Sequence, residues 1–218
     1  MHEDFWHERW RTGQIGFHQA EPDRNLTQYW PGLALATGSS VLVPLCGKSL
    51  DMLWLRDRGY SVLGIEISAI AVEAFFAENG IAPRRSSAPD HEIYRSAGLR
   101  LLRADLFSLT KASLGPIDGL YDRAAAIAFS ASQRPGYVEK VASLLERGTR
   151  GLLVTVEYSQ QQMSGPPFSL EREEVLRLYS PFFEVEEIAR ADTLEREHRM
   201  RARGVTAWHE VCYRLVRA

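Results

Sequence analysis

The sequence predicts an α/β fold: a doubly wound, mostly parallel sheet with helices on both faces. Three observations predict it. Short runs rich in Val, Leu and Ile recur along the chain, at residues 40–45 (SVLVPL), 61–65 (SVLGI) and 151–156 (GLLVTV). None of them alternates apolar with polar residues, which is the pattern of strands buried on both faces. Between them lie stretches of helical spacing that end at single glycines, Gly59 and Gly80, as left-handed helix caps do. Strands alternating with helices in this way build a parallel sheet covered on both sides.

Each element follows in order. Residues 4–11 (DFWHERWR) read as a short amphipathic helix, and a glycine-bearing polar stretch runs from 12 to 25. Residues 25–30 (NLTQYW) start a second helix with Asn25 as its cap. The strand at 40–45 is followed by a helix that Ser49 caps, with Asp51 in the first turn and Met52, Leu53 and Leu55 turned to the core. The strand at 61–65 leads to a helix capped by Ser68 that runs to about Glu78. Residues 82–98 break the alternation and read as an insertion. Strands are expected at 99–103 and from 119, a helix at 135–146, the strand at 151–156 and a helix at 171–178. The last two strands, 182–187 and 210–216, have no clear crossover helix between them. An antiparallel hairpin at the sheet edge is the expectation.

Composition narrows the function. With 26 basic and 28 acidic residues the net charge is -2, and there is no broad basic face to hold a nucleic acid. No apolar run approaches the roughly 20 residues of a membrane span. The first ten residues, MHEDFWHERW, lack the apolar core of a signal peptide. Two cysteines, Cys46 and Cys212, are too few for a disulfide framework. The expectation is a cytoplasmic monomer forming a single domain over residues 1–218, with an N-terminal cap or lid at 1–32 and a core at 33–218. No partner among nucleic acids or membranes is expected.

In an open parallel sheet, ligands bind beyond the carboxyl ends of the strands. The first strand ends in Pro44-Leu45-Cys46-Gly47-Lys48-Ser49, and the second in Gly64-Ile65-Glu66. A glycine turn and an acidic side chain about 20 residues later therefore face one crevice, where a carboxylate can accept both hydroxyls of an adenosine ribose. Three cofactor readings compete. A dinucleotide site needs G-x-G-x-x-G, and this turn has one glycine. A P-loop needs a glycine five residues before Gly47-Lys48-Ser49, and Leu42 stands there. S-adenosyl-L-methionine carries no phosphate, so one glycine and one acidic residue suffice. An NTPase built on Gly47-Lys48-Ser49 and a cofactor-sensing module stay open as alternatives. The six histidines include His2 and His7, which with Glu3 miss the H-E-x-x-H spacing by one residue, so no metal is expected.

Several blocks carry a family resemblance. They are W-x-x-x-W (Trp6, Trp10), I-G-F-H-Q (15–19), V-L-V-P-L-C-G-K-S-x-D-M (41–52), Y-D-R-A-A (121–125) and G-P-P-F (165–168). With them the chain resembles the bacterial thiopurine S-methyltransferases over nearly its whole length. The resemblance implies a seven-stranded, Rossmann-like sheet of the class I methyltransferase type, its last strand antiparallel, with an N-terminal cap. It implies methyl transfer from S-adenosyl-L-methionine to sulfur of aromatic or heterocyclic thiols, and to selenium or tellurium compounds. Another small acceptor is the alternative within the same fold. Position by position it implies Trp10, Leu45, Glu66, Asp105, Leu106 and Arg123 at the cofactor and Phe17 at the substrate. In the C-terminal region only Trp208 matches. Physically, Arg123 can grip a carboxylate as a fork, and the face of Trp10 suits a sulfonium cation. No residue stands out as a general base. A thiolate is already nucleophilic near neutral pH, so orientation matters more than proton removal.

Overall fold

Hydrogen-bonding groups at the chain's turns decide where its elements begin. A computed structural model describes residues 3–218. His2 therefore lies outside the described residues. The chain separates into two units, one ending at Tyr121 and one beginning at Asp122. The first opens with α1 (Glu3–Arg11) and α2 (Arg24–Tyr29), the latter running into a short 3-10 turn, Trp30–Leu33. The cap of α2 is Asp23 rather than Asn25: the Asp23 carboxylate accepts the amides of Asn25 and Leu26. Both residue types suit this role, and the one placed two residues ahead of the free amides takes it.

After β1 (Ser40–Pro44) come α3 (Asp51–Asp57), β2 (Ser61–Glu66) and α4 (Ala69–Glu78). Ser49 Oγ accepts the Asp51 amide, and Ser68 Oγ that of Ala71. Met52 and Leu55 are buried as expected. Leu53 is half-buried, and Trp54 fills the apolar face in its place. Strands β1 and β2 run parallel, Ser40 against Ser61 to Pro44 against Ile65. Gly64 is needed in β2 because a β-carbon there would stand 2.7 Å from Cys46 Sγ and 2.9 Å from Met52 Sδ.

Residues 82–98, expected as an insertion that breaks the alternation, carry strands of their own. They form a hairpin, β3 (Arg84–Ser87) and β4 (Glu92–Ser96), that extends the sheet antiparallel to β5 (Leu99–Arg103). The helix α5 (Lys111–Leu114) and β6 (Gly119–Arg123) complete the run, and β6 pairs parallel with β1. The strand order in this part is β3-β4-β5-β2-β1-β6.

The second unit holds α6 (Arg134–Leu144), β7 (Arg150–Glu157), α7 (Arg172–Tyr179), β8 (Phe183–Asp192), α8 (His198–Ala202) and β9 (His209–Arg217). Its strand order is β7-β9-β8, all antiparallel, so the terminal strand is antiparallel as expected. Among the described residues nine strands are present rather than the expected seven, the hairpin β3–β4 supplying the two extra. Both strand cores are apolar: Val41, Leu42, Leu63 and Leu101 in the first, Leu152, Leu153, Val211 and Leu215 in the second. Each such side chain contributes roughly 1.5–3 kcal/mol when fully buried. Among the described residues no helix is long and apolar enough to cross a membrane.

Candidate functional site

The turn after β1 bends in a way that few side chains tolerate. Leu45 has φ 48° and Gly47 has φ 52°, both left-handed. For leucine this conformation is uncommon and marks a backbone held by its surroundings. The holding group is Glu66, the last residue of β2. Its Oε2 accepts the Gly47 amide at 2.9 Å, and its Oε1 accepts the Ser68 amide at 2.8 Å. Glu66 is buried. Burial raises its carboxyl above the ordinary carboxylate value, and the amides of Ser68, Gly47 and Ile67 partly oppose this by favouring the ionised form.

Three strand ends meet here. The Cys46 amide donates to the Ile65 carbonyl at 3.0 Å and the Ala104 amide to the Glu66 carbonyl at 2.9 Å. The structure thereby brings Leu45, Glu66, Asp105 and Leu106 to the carboxyl ends of β1, β2 and β5. Asp105 caps a short turn, Leu106–Ser108, by accepting the Phe107 amide at 3.0 Å, and Leu106 is buried. Above the turn stand two aromatic rings. A β-carbon on Gly47 would lie 3.1 Å from Trp10 Cζ2 and 3.8 Å from Phe17 Cε2. Trp10 and Phe17 pack edge to face, 5.5 Å between centroids, and Trp6 packs on Phe17 at 5.7 Å. Trp10 is buried, while Phe17 and Trp6 are half-buried.

Within the second unit, Arg123 is the half-buried last residue of β6. Its neighbour Asp122 is fully buried and shapes the turn that follows, accepting the Ala126 amide at 3.2 Å and the Tyr137 hydroxyl at 2.8 Å. Burial pushes the Asp122 carboxyl up from 3.8 to about 6, with these two bonds opposing. Arg134 is buried as well. Its guanidinium donates to the carbonyls of Ala126, Phe129 and Ser169 and lies 2.7 Å from Glu174. Trp208 is buried and stacked on Tyr158, 5.0 Å between centroids. Arg199, Arg201 and Arg203, in and just after α8, are exposed.

The P-loop alternative loses its parts. Lys48 Nζ is bonded to both carboxylate oxygens of Glu78, at 2.6 and 2.8 Å, and Ser49 Oγ serves the Asp51 amide. Cys46 is buried, and burial together with the Glu66 charge raises its thiol well above the ordinary value, which disfavours the reactive thiolate. Among the described residues no group of three or more His, Cys, Asp or Glu side chains is placed to hold a metal ion.

Sequence reasoning missed the buried groups around Asp122 and Arg134, and a further one at Asp51: its Oδ1 accepts the Asp23 amide at 2.7 Å, and Oδ2 accepts the Tyr121 hydroxyl at 3.0 Å. The only signal for it in the sequence is an aspartate inside an otherwise apolar helix start.

The sheet has the fold of the S-adenosylmethionine-dependent methyltransferases. A TehB-like methyltransferase of that class from Corynebacterium glutamicum superposes with a TM-score of 0.58 at 12% identity, over 99% of this chain and 97% of that one. The N-terminal domain of EvdMO1, solved with S-adenosylhomocysteine bound, gives 0.61 at 12% identity, over 100% and 98%. The chain belongs to the thiopurine S-methyltransferase family, whose model matches residues 1–218. Its relatives include the thiopurine S-methyltransferases of Bordetella parapertussis, 44% identical over 100% of this chain and 99% of that one, and Pseudomonas fluorescens, 45% identical over 99% of each.

Proposed function

We propose that this protein is an S-adenosyl-L-methionine-dependent methyltransferase acting on sulfur of small aromatic or heterocyclic thiols. One observation supports it most: a full-length match to the thiopurine S-methyltransferase family. The site's chemistry fits that cofactor. The Glu66 carboxylate takes the Gly47 amide on Oε2 and the Ser68 amide on Oε1, and a carboxylate's roughly four lone-pair sites leave capacity for ribose hydroxyls. The left-handed Gly47 admits close approach beside the Trp10 ring, where a β-carbon would crowd it. When bound, the cofactor supplies an electrophilic methyl group on a sulfonium centre.

The protein's own residues orient and enclose. Glu66 holds the turn and meets the ribose. Leu45 offers its carbonyl to the amino group, Asp105 and Leu106 line the adenine, and Arg123 grips the carboxylate in a fork. Trp10 and Phe17 form a lid within the cap at 1–32 and exclude water from the acceptor. Orientation of this kind is worth roughly 7–11 kcal/mol of a bimolecular barrier. No general base is needed for an acceptor that ionises near neutral pH. We place the enzyme in the cytoplasm as a monomer.

A radiolabelled methyl-transfer assay over thiols, selenols, phenols and amines tests this. Labelled thioether from aromatic thiols is the expected product. Labelling confined to phenols or amines shifts the reading to another small acceptor, and absence of transfer despite S-adenosylhomocysteine binding points to a sensor.

A further inference from the structure

Asp51 belongs to the most distinctive block of the sequence, yet none of the proposed cofactor contacts uses it. It begins α3, where an aspartate commonly serves the amides of its own first turn. Two of its bonds leave the helix entirely. They reach Asp23, 28 residues back, and Tyr121, 70 residues on. Asp51, Asp23 and Tyr121 are 2%, 3% and 1% exposed. A buried carboxylate needs such partners, and bonds to it are short and directional.

These bonds tie down one end of the N-terminal segment. Asp23, held by Asp51, in turn caps α2. At the far end of α2, Trp30 packs edge-on against Tyr121, 6.0 Å between centroids and 87° between planes. The stretch from 23 to 30 is thus bonded at its start and packed at its end, both times on the Asp51–Tyr121 pair. The stretch before it touches the β1 turn differently. Trp10 and Phe17 meet Gly47 through ring surface, which is non-directional and can separate and re-form. Gly47 and Asp51 are four residues apart, so a single loop carries both attachments.

We infer that Asp51 is a positioning residue: it is the fixed anchor of a strap whose other end, Trp10 and Phe17, opens and closes over the β1 turn. The inference deepens the methyltransferase reading and rests on it for the identity of the ligand. Asp51 touches neither cofactor nor acceptor. It sets where the closing rings can land.

Amide hydrogen exchange and steady-state kinetics on the full chain test this, with S-adenosylhomocysteine as the probe. In the wild type, amides 24–29 are protected with and without the probe, while amides 4–18 gain protection only with it. In Asp51→Ala, amides 24–29 lose protection and the loss spreads to 4–18. The KM for S-adenosyl-L-methionine then rises about tenfold, the size expected for one lost charge-assisted bond, while kcat stays within about twofold. Tyr121→Phe removes one of the two bonds and gives a smaller rise. Asp51→Asn keeps an oxygen for the Asp23 amide, so combined with Tyr121→Phe it recovers most of the protection at 24–29. If Asp51→Ala fails to fold, these last two variants carry the same comparison. The inference is overturned by protection at 24–29 that survives loss of Asp51, by a loss there that leaves 4–18 unchanged, or by kcat falling by as large a factor as KM rises. Wild-type protein that ignores S-adenosylhomocysteine sinks the methyltransferase reading alone, because the unliganded exchange pattern still decides the anchor.

Discussion

The Trp10 ring lies 3.1 Å from the point where Gly47 would carry a β-carbon, in a turn whose φ of 52° already disfavours any side chain. Two independent penalties therefore fall on one substitution. Gly47→Ala is expected to lose about 1–2 kcal/mol from backbone strain alone, with the ring contact adding to it. Adding Trp10→Leu should relieve the contact and leave the strain. Thermal unfolding of the single and double variants reads both parts. Equal melting temperatures for Gly47→Ala and the wild type would mean that neither penalty operates.

Glu66→Gln separates the two duties of the carboxylate. Glutamine keeps one acceptor oxygen, so either the Gly47 or the Ser68 amide would face an N–H group. A buried donor left without an acceptor costs about 1–3 kcal/mol. Stability and affinity for S-adenosylhomocysteine should fall together, measured by urea unfolding and calorimetry. An unchanged urea midpoint would assign Glu66 to the ligand alone.

Asp122 predicts a pH dependence with a definite sign. Its carboxyl is raised from 3.8 to about 6 in the folded protein, mainly by burial, with Tyr137 and the Ala126 amide bonded to it and Tyr179 and Arg134 nearby. Between those values the folded state holds the proton more tightly than the unfolded chain. Its contribution is therefore complete below about pH 4, is lost as the pH rises through 6, and is constant above. The change amounts to about 3 kcal/mol across the window. Asp122→Asn removes it. The stability difference between wild type and variant, followed by urea unfolding from pH 4 to 7, should slope only in that window. A difference independent of pH contradicts the raised value.

The sequence was most legible where burial is symmetrical. The strands at 40–45, 61–65 and 99–103 and the cap at Ser68 lie close to where their residues indicate, because an apolar run with a polar cap leaves few alternatives. Residues 84–87 did not announce themselves. All four are exposed and polar, so no apolar period marks the strand, and its pairing with β4 rests on backbone bonds and on the Arg85 guanidinium lying over the Tyr94 ring, 4.9 Å from its centroid. The α2 cap was misplaced by two residues because Asp23 and Asn25 have the same capping chemistry. At the site, the turn and its acidic partner were readable from their spacing along neighbouring strands. The second task of Glu66, holding the Gly47 amide, was not, since it depends on how the turn folds back. The Asp51 group was hidden for a different reason: its partners stand 28 and 70 residues away, and only the assembled fold brings them within reach.

The hairpin that lengthens the sheet also decides what lies at its border. β3 ends the strand order on that side, and an unpaired backbone border is a template on which a second molecule can dock. Here the border begins with Arg84 and Arg85, both exposed, and is only four residues long. Arg85 is paired with Glu73 at 3.3 Å, so two molecules approaching border to border would bring chiefly their Arg84 guanidinium groups within a few strand spacings of about 4.8 Å. Like charges facing each other across so short a border disfavour edge-to-edge pairing of two copies.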